Sequence, residues 1–185
     1  MPPDLSGLPD DLPIPANDGA AAHLPGMVLP DLALPDTDGN TVRPARLRGR
    51  HVIYIYPMTG RPDRPLPEGW NAIPGARGCT PQSCGFRDHF EALKALDTGV
   101  FGLSAQDSNW QREARERLHL PFPLLSDATL QLKTALRLPT FTVAGMELYR
   151  RLTLVIADGR ILKTFYPVFP PDRSAEDTLN WLRQS

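Results

Sequence analysis

Proline divides this chain into segments with different structural options. There are 21 prolines in 185 residues, and they cluster: Pro2, Pro3, Pro9, Pro13, Pro15 and Pro25 near the start, then Pro57, Pro62, Pro65, Pro67 and Pro74 in one internal stretch. Each one fixes φ and removes a backbone donor, so neither stretch suits a regular helix or a central strand. Residues 1–26 are therefore expected to form an extended arm. Residues 57–78, which also carry Gly60, Gly69, Gly75 and Gly78, are expected to form a long loop. Regular structure is left to the remainder of residues 27–185, which at 41% hydrophobic content for the whole chain suffices for one domain.

Within that domain the apolar pattern alternates between strand and helix. Val28-Leu29 and Leu32-Ala33-Leu34, with a turn at Asp38-Gly39-Asn40 before Thr41-Val42, predict a small N-terminal hairpin. His51 to Tyr56 is a β-branched and aromatic run suited to a buried central strand. Phe86, Phe90, Leu93 and Leu96 fall at helical spacing, with Pro81 in the first turn and Thr80 as the expected cap. A strand at 100–103, a helix capped by Ser108, a strand within 122–125 and a short helix capped by Asp127 follow. A hairpin around Asp158-Gly159 and a C-terminal helix opened by Ser174 close the chain. The expected class is α/β, with a mixed central β-sheet flanked by helices.

Charge and length exclude several roles. Twenty basic against twenty-one acidic side chains give a net charge of -1, which does not favour nucleic acid or an anionic membrane. The apolar runs are far shorter than the roughly 20 residues that cross a bilayer. Met1 to Ala16 carries Asp4, Asp10 and Asp11, with no basic start or apolar run of a secretory leader, so a cytoplasmic location is expected. The histidines at 23, 51, 89 and 119 are scattered, and no zinc site is expected.

Chemistry concentrates at the two cysteines, Cys79 and Cys84. Two are too few for a disulfide scaffold, and in a reducing compartment a close pair reads as reactive. Cys79 precedes Thr80-Pro81 and so sits at a helix N-terminus, where free N–H groups and the dipole favour a thiolate. In a continuous helix a five-residue step rotates about 140° and rises about 7.5 Å, leaving the Cα atoms roughly 8 to 9 Å apart. That exceeds the span of a disulfide, so the two could bond only if the first turn unwound. Gly85, a poor helix former, makes the unwinding easier.

The segment Gly78-Cys79-Thr80-Pro81-Gln82-Ser83-Cys84-Gly85-Phe86-Arg87-Asp88 resembles the peroxidatic segment of peroxiredoxins. It is most similar to the PrxQ or bacterioferritin comigratory group, in which a resolving cysteine follows five residues after the peroxidatic one. Leu29 to Leu34 with Asp38-Gly39, Tyr54 to Pro57, and Arg151 to Ile156 resemble, respectively, the family's opening hairpin, its active-site strand and its arginine-bearing strand. The resemblance implies a thioredoxin-like fold and a thiol peroxidase without cofactor. Cys79 would be oxidised to a sulfenic acid by hydrogen peroxide or an organic hydroperoxide, Cys84 would resolve it to a disulfide, and a thioredoxin- or glutaredoxin-like partner would reduce that disulfide. Arg151 is the expected stabiliser of thiolate and peroxide, with Arg150 the alternative if the register shifts by one. The resemblance leaves open whether the chain is a monomer or a homodimer.

Two positions depart from that family pattern. The proline usually found seven residues before the peroxidatic cysteine is Ala72, and the Thr or Ser three before it is Ala76. Pro57 matches the proline better, which makes part of the following loop an insertion. The missing hydroxyl then falls to Thr59, or less directly to Thr80. Leu66, Trp70 and Ile73 of the insertion are expected to cover the site. A thiol–disulfide oxidoreductase, a peroxide sensor, or a noncatalytic thioredoxin-fold binding module are the competing readings. The first of these more often spaces its cysteines by two residues, which this chain does not.

Overall fold

The computed structural model describes residues 3–185; Met1 and Pro2 of the expected arm lie outside the described residues. Five strands form the central sheet: β3 (Arg50–Ile55), β4 (Thr98–Ser104), β5 (Leu124–Ser126), β8 (Leu152–Ala157) and β9 (Arg160–Phe165). Their order is β5-β4-β3-β8-β9, with β3, β4 and β5 parallel and β8 and β9 antiparallel to their neighbours. The sheet is mixed, as the alternation of patterns predicts.

Strand β3 shows why the run from His51 is central. Its side chains alternate, so Val52, Tyr54 and the following Tyr56 face one apolar cluster while Ile53 and Ile55 face another. All five are at most 2% exposed, which is the burial of a strand covered on both faces. On the Tyr54 side pack α1 (Cys79–Asp88), α2 (Phe90–Lys94) and α5 (Ser174–Gln184). Helix α3 (Ser108–Leu118) adds Leu118 to that cluster and buries Gln111 and Ala114. On the other side lie α4 (Gln131–Leu136) and the chain from Ala21 to Leu34.

Several boundaries differ from the sequence reading. The N-terminal hairpin shrinks to β1 (Leu34–Pro35) paired with β2 (Thr41–Val42), and Val28 makes an isolated bridge to Arg160. Pro30 and Pro35 cannot donate to a ladder, which limits its length. The helix expected through Leu96 breaks at His89, whose φ of -99° and ψ of 5° leave the helical region. Gly78, not Thr80, caps α1, and Asp107, not Ser108, caps α3 by accepting a bond from the Trp110 amide. Ser174 lies inside α5 and points its hydroxyl into the core rather than capping the helix. Asp127 does cap α4, accepting from the Gln131 and Leu132 amides and from the Tyr149 hydroxyl.

The proline-rich stretch folds back on a hairpin that the sequence reading missed, β6 (Thr140–Val143) and β7 (Met146–Tyr149), joined by Ala144-Gly145. Met58, Trp70, Ala76, Val143 and Leu148 bury each other in a third, smaller apolar cluster. The loop is thus a packed element with its own core. The arm also packs against the domain: Ala21 and Leu24 are buried, and the His23 ring bonds the Leu136 carbonyl at 2.7 Å. Among the described residues no helix is long and apolar enough to cross a membrane.

Candidate active site

Helix α1 is seated on the sheet through one aromatic stack. Phe86 lies face to face with Tyr54, centroids 4.5 Å apart at 7°, and the Tyr54 hydroxyl donates to Ser83 Oγ at 3.0 Å. Both rings are fully buried, which fixes the rotation of the helix. At its start Gly78 has φ of 110°, in the left-handed region, and a Cβ there would stand 2.3 Å from Pro171 Cγ. Glycine is required twice over at that position. The result delivers Cys79 as the first residue of α1, 3% exposed, with its thiol directed at the Ala76 carbonyl 3.8 Å away.

Arg151 meets this sulfur from the end of the sheet. It directly precedes β8, is 3% exposed, and its Nη2 donates to Cys79 Sγ at 3.2 Å. The same nitrogen donates to the carbonyls of Gly75, Ala76 and Arg77, while Nη1 donates to Gln82 Oε1 at 2.5 Å. Gln82 is in turn held by Nε2 donating to Ser174 Oγ, which lies 3.3 Å from Thr153 Oγ1. Among the described residues every partner of this guanidinium is a neutral oxygen or the cysteine sulfur. A buried cation without a carboxylate is costly, which sets this guanidinium apart from an ordinary structural arginine. Arg150 is a poorer fit to the same role, because its guanidinium lies over the Phe141 ring, 5.6 Å from the centroid.

Of the other expected residues, some join this site and some do not. Cys84 lies in the same unbroken helix, half-buried and unpaired, and burial pushes its thiol up from the ordinary range. Pro57 is buried where β3 gives way to the loop. Thr59 is buried too, but its hydroxyl donates to Gln106 Oε1 at 3.2 Å and its carbonyl accepts from Trp110. The hydroxyl-bearing side chain that lines the small cavity over Cys79 is Thr80, alongside Met58, Leu66 and Trp70. Ile73 packs on the Met58–Trp70 cluster and lines a second cavity, with Pro15 and Phe141, that reaches Arg151. Gln82 and Ser174 escaped the sequence reading. Gln82 had a signal, since three residues beyond Cys79 on a helix is the same face; Ser174 had none.

Residues 24–179 match the redoxin family model. The chain belongs to the redoxin family. Among the proteins it is similar to are peroxiredoxins of the Q type. It is 28% identical over 160 residues to the chloroplastic peroxiredoxin Q of Suaeda salsa, covering 85% of this chain and 67% of that protein. It is 36% identical over 104 residues to peroxiredoxin bcp1 of Schizosaccharomyces pombe, covering 55% of this chain and 46% of that protein. The chain thus spans two thirds or less of the length of these curated relatives. The crystal structure of the peroxidoxin BcpB from Mycobacterium tuberculosis superposes with a TM-score of 0.71 at 26% identity, over 88% of this redoxin and 98% of that chain. The redoxin fold is therefore the thioredoxin-like one expected from the cysteine segment.

Proposed function

We propose that the protein reduces hydroperoxides, with Cys79 as the oxidised thiol. The observation that carries this reading is Arg151, a buried cation whose Nη2 sits 3.2 Å from Cys79 Sγ with no carboxylate of its own. It can bind the peroxide oxygens as negative charge develops on the leaving one. The thiolate attacks the nearer oxygen, the O–O bond breaks, and the departing alkoxide or hydroxide takes a proton to leave as alcohol or water. Cys79 remains as sulfenic acid. Thr80, which lines the cavity over Cys79, is our candidate for the hydroxyl that orients the peroxide, since Gln106 engages Thr59, and Pro57 is assigned to opening the loop over the site.

Cys84 then resolves the sulfenic acid: its thiolate displaces the sulfenic oxygen as water, and the S–S bond forms. The first turns of α1 must unwind for this, because the intact helix holds the Cα atoms roughly 8 to 9 Å apart. Gly85 eases the step. It is a weak helix former whose Cβ would come 3.2 Å from the Asp172 carbonyl. An external dithiol of the thioredoxin or glutaredoxin kind then takes the oxidation away and returns both thiols. We assign the reaction to one catalytic domain, residues 27–185, preceded in sequence by the arm 1–26, acting as monomer or homodimer in the cytoplasm.

Stopped-flow fluorescence with hydrogen peroxide tests the scheme. Two phases are expected, oxidation and then resolution. Because burial holds the Cys84 thiol up, the second phase should accelerate as pH rises from about 6 to about 9, where its thiolate fraction grows. Oxidation no faster than that of a free thiol would defeat the assignment, and a second phase indifferent to pH would remove Cys84 from the resolving role.

A further inference from the structure

The cavity over Cys79 is closed by the chain's own N-terminal arm. Leu5, half-buried, lines it together with Met58, Gly60, Leu66 and Trp70. A Cβ on Gly60 would stand 2.6 Å from Leu5 Cδ2 and 3.0 Å from Leu66 Cδ2, so the leucine methyls lie in the space that glycine leaves. What remains is about 10 Å³, room for about one water and not for an O–O group bearing an organic substituent.

The arm is held there by a built turn. Asp4 accepts bonds from the Ser6 amide, the Ser6 hydroxyl and the Gly7 amide, at 3.0, 2.8 and 3.3 Å. Arg77, two residues before Cys79, donates from Nη2 to the carbonyls of Asp4 and Gly7. Leu8 packs over Gly78, where a Cβ would come 3.0 Å from Leu8 Cδ2.

Behind this plug lies a much larger cleft of about 580 Å³. Met58, Gly60 and Leu66 line both spaces, and Leu5, which lines only the smaller one, lies against that shared wall at Gly60. The cleft continues over Leu148 and Trp110, an apolar floor, with the guanidiniums of Arg61 and Arg64 stacked on the indole at 5.3 and 5.4 Å.

We propose that Leu5 is a specificity-determining residue that occupies the seat of the organic substituent of a hydroperoxide. With the arm down, the cleft and Cys79 are separate. When Leu5 leaves, an apolar substituent takes its place between Met58, Leu66 and Gly60, and its peroxide end reaches the sulfur. The arm then discriminates by size, because a bulky hydroperoxide must displace the whole leucine side chain. This inference rests on the peroxidase reading and concerns which peroxides that site admits.

The test compares kcat/KM for cumene hydroperoxide and for hydrogen peroxide in the full chain, in Leu5→Ala, and in a chain lacking residues 2–8. In both variants the ratio of cumene hydroperoxide to hydrogen peroxide should rise about tenfold or more, the order expected when a half-buried leucine no longer has to be displaced. Reaction with hydrogen peroxide at the full chain's pace but with an unchanged or lower ratio in both variants overturns the gate alone. Free-thiol rates with both peroxides in all three proteins overturn the peroxidase reading and this inference with it.

Discussion

Replacing Arg151 with methionine is expected to slow oxidation of Cys79 by about 10²- to 10³-fold while the chain still folds. The guanidinium is the charged group that touches the sulfur, at 3.2 Å, and its loss removes both the counter-charge for the thiolate and a donor for the leaving oxygen. Stability should change much less than rate. A buried cation without a carboxylate is itself unfavourable, and an apolar side chain of similar length relieves that. The Ala76 carbonyl and Gln82 Oε1 lose a donor each, a penalty of about 1 to 3 kcal/mol apiece that partly offsets the relief. Arg151→Lys keeps charge but not the fork that grips Gln82 and the sulfur together, and should fall between the two. Pseudo-first-order rates against peroxide concentration, with thermal melts alongside, separate the effects. An unchanged rate in Arg151→Met would remove the residue from the chemistry.

Gly78→Ala carries the second large effect. Position 78 has φ of 110°, and its Cβ would meet Pro171 Cγ at 2.3 Å. Backbone strain and overpacking together should destabilise the protein by about 2 to 5 kcal/mol. For a chain of this size that lowers Tm by roughly 5 to 15 °C. The clash lies beside Cys79, so the first turn of α1 should also shift and the sulfur should lose its contact with Arg151, slowing oxidation. Gly69→Ala is the control: Gly69 also has positive φ, 75°, but nothing stands within 4 Å of its Cβ position. It should cost about 1 kcal/mol and leave the peroxide rate alone. Equal melting losses in the two variants would show that the contact with Pro171 is not what holds Gly78 in place.

The parts of this molecule that could be read from sequence are those where local chemistry and tertiary packing agree. The run from His51 to Tyr56 is buried on both faces from Val52 onward, so its continuous hydrophobicity carries the signal of a central strand. The Asp158-Gly159 turn is legible locally because both residues take positive φ, 47° and 76°, as a two-residue hairpin turn requires. The cysteine pair and Arg151 were readable through the motif that surrounds them. Elsewhere distant contacts decide. Thr59 was expected to orient the peroxide, but Gln106, 47 residues along the chain, claims its hydroxyl. The hairpin Thr140–Val143 with Met146–Tyr149 alternates in its first strand, Thr140-Phe141-Thr142-Val143, but that run is only four residues long, and it is the proline-rich loop that gives the hairpin a core to cover. The arm was read as extended, yet nothing in its composition could show that Leu5 ends over Cys79, since that depends on Arg77 and Gly60.

Peroxide is expected to oxidise Cys79, and Cys84 to complete a disulfide. Mass measurement after one equivalent of hydrogen peroxide tests it most directly, on the wild-type chain and on Cys84→Ser side by side. The wild-type protein should lose two hydrogens and both free thiols, joining Cys79 to Cys84. Cys84→Ser should gain one oxygen at Cys79 as a sulfenic acid that a dimedone probe captures. Oxidation found first at Cys84, or two intact thiols after the peroxide has been offered, would contradict the account.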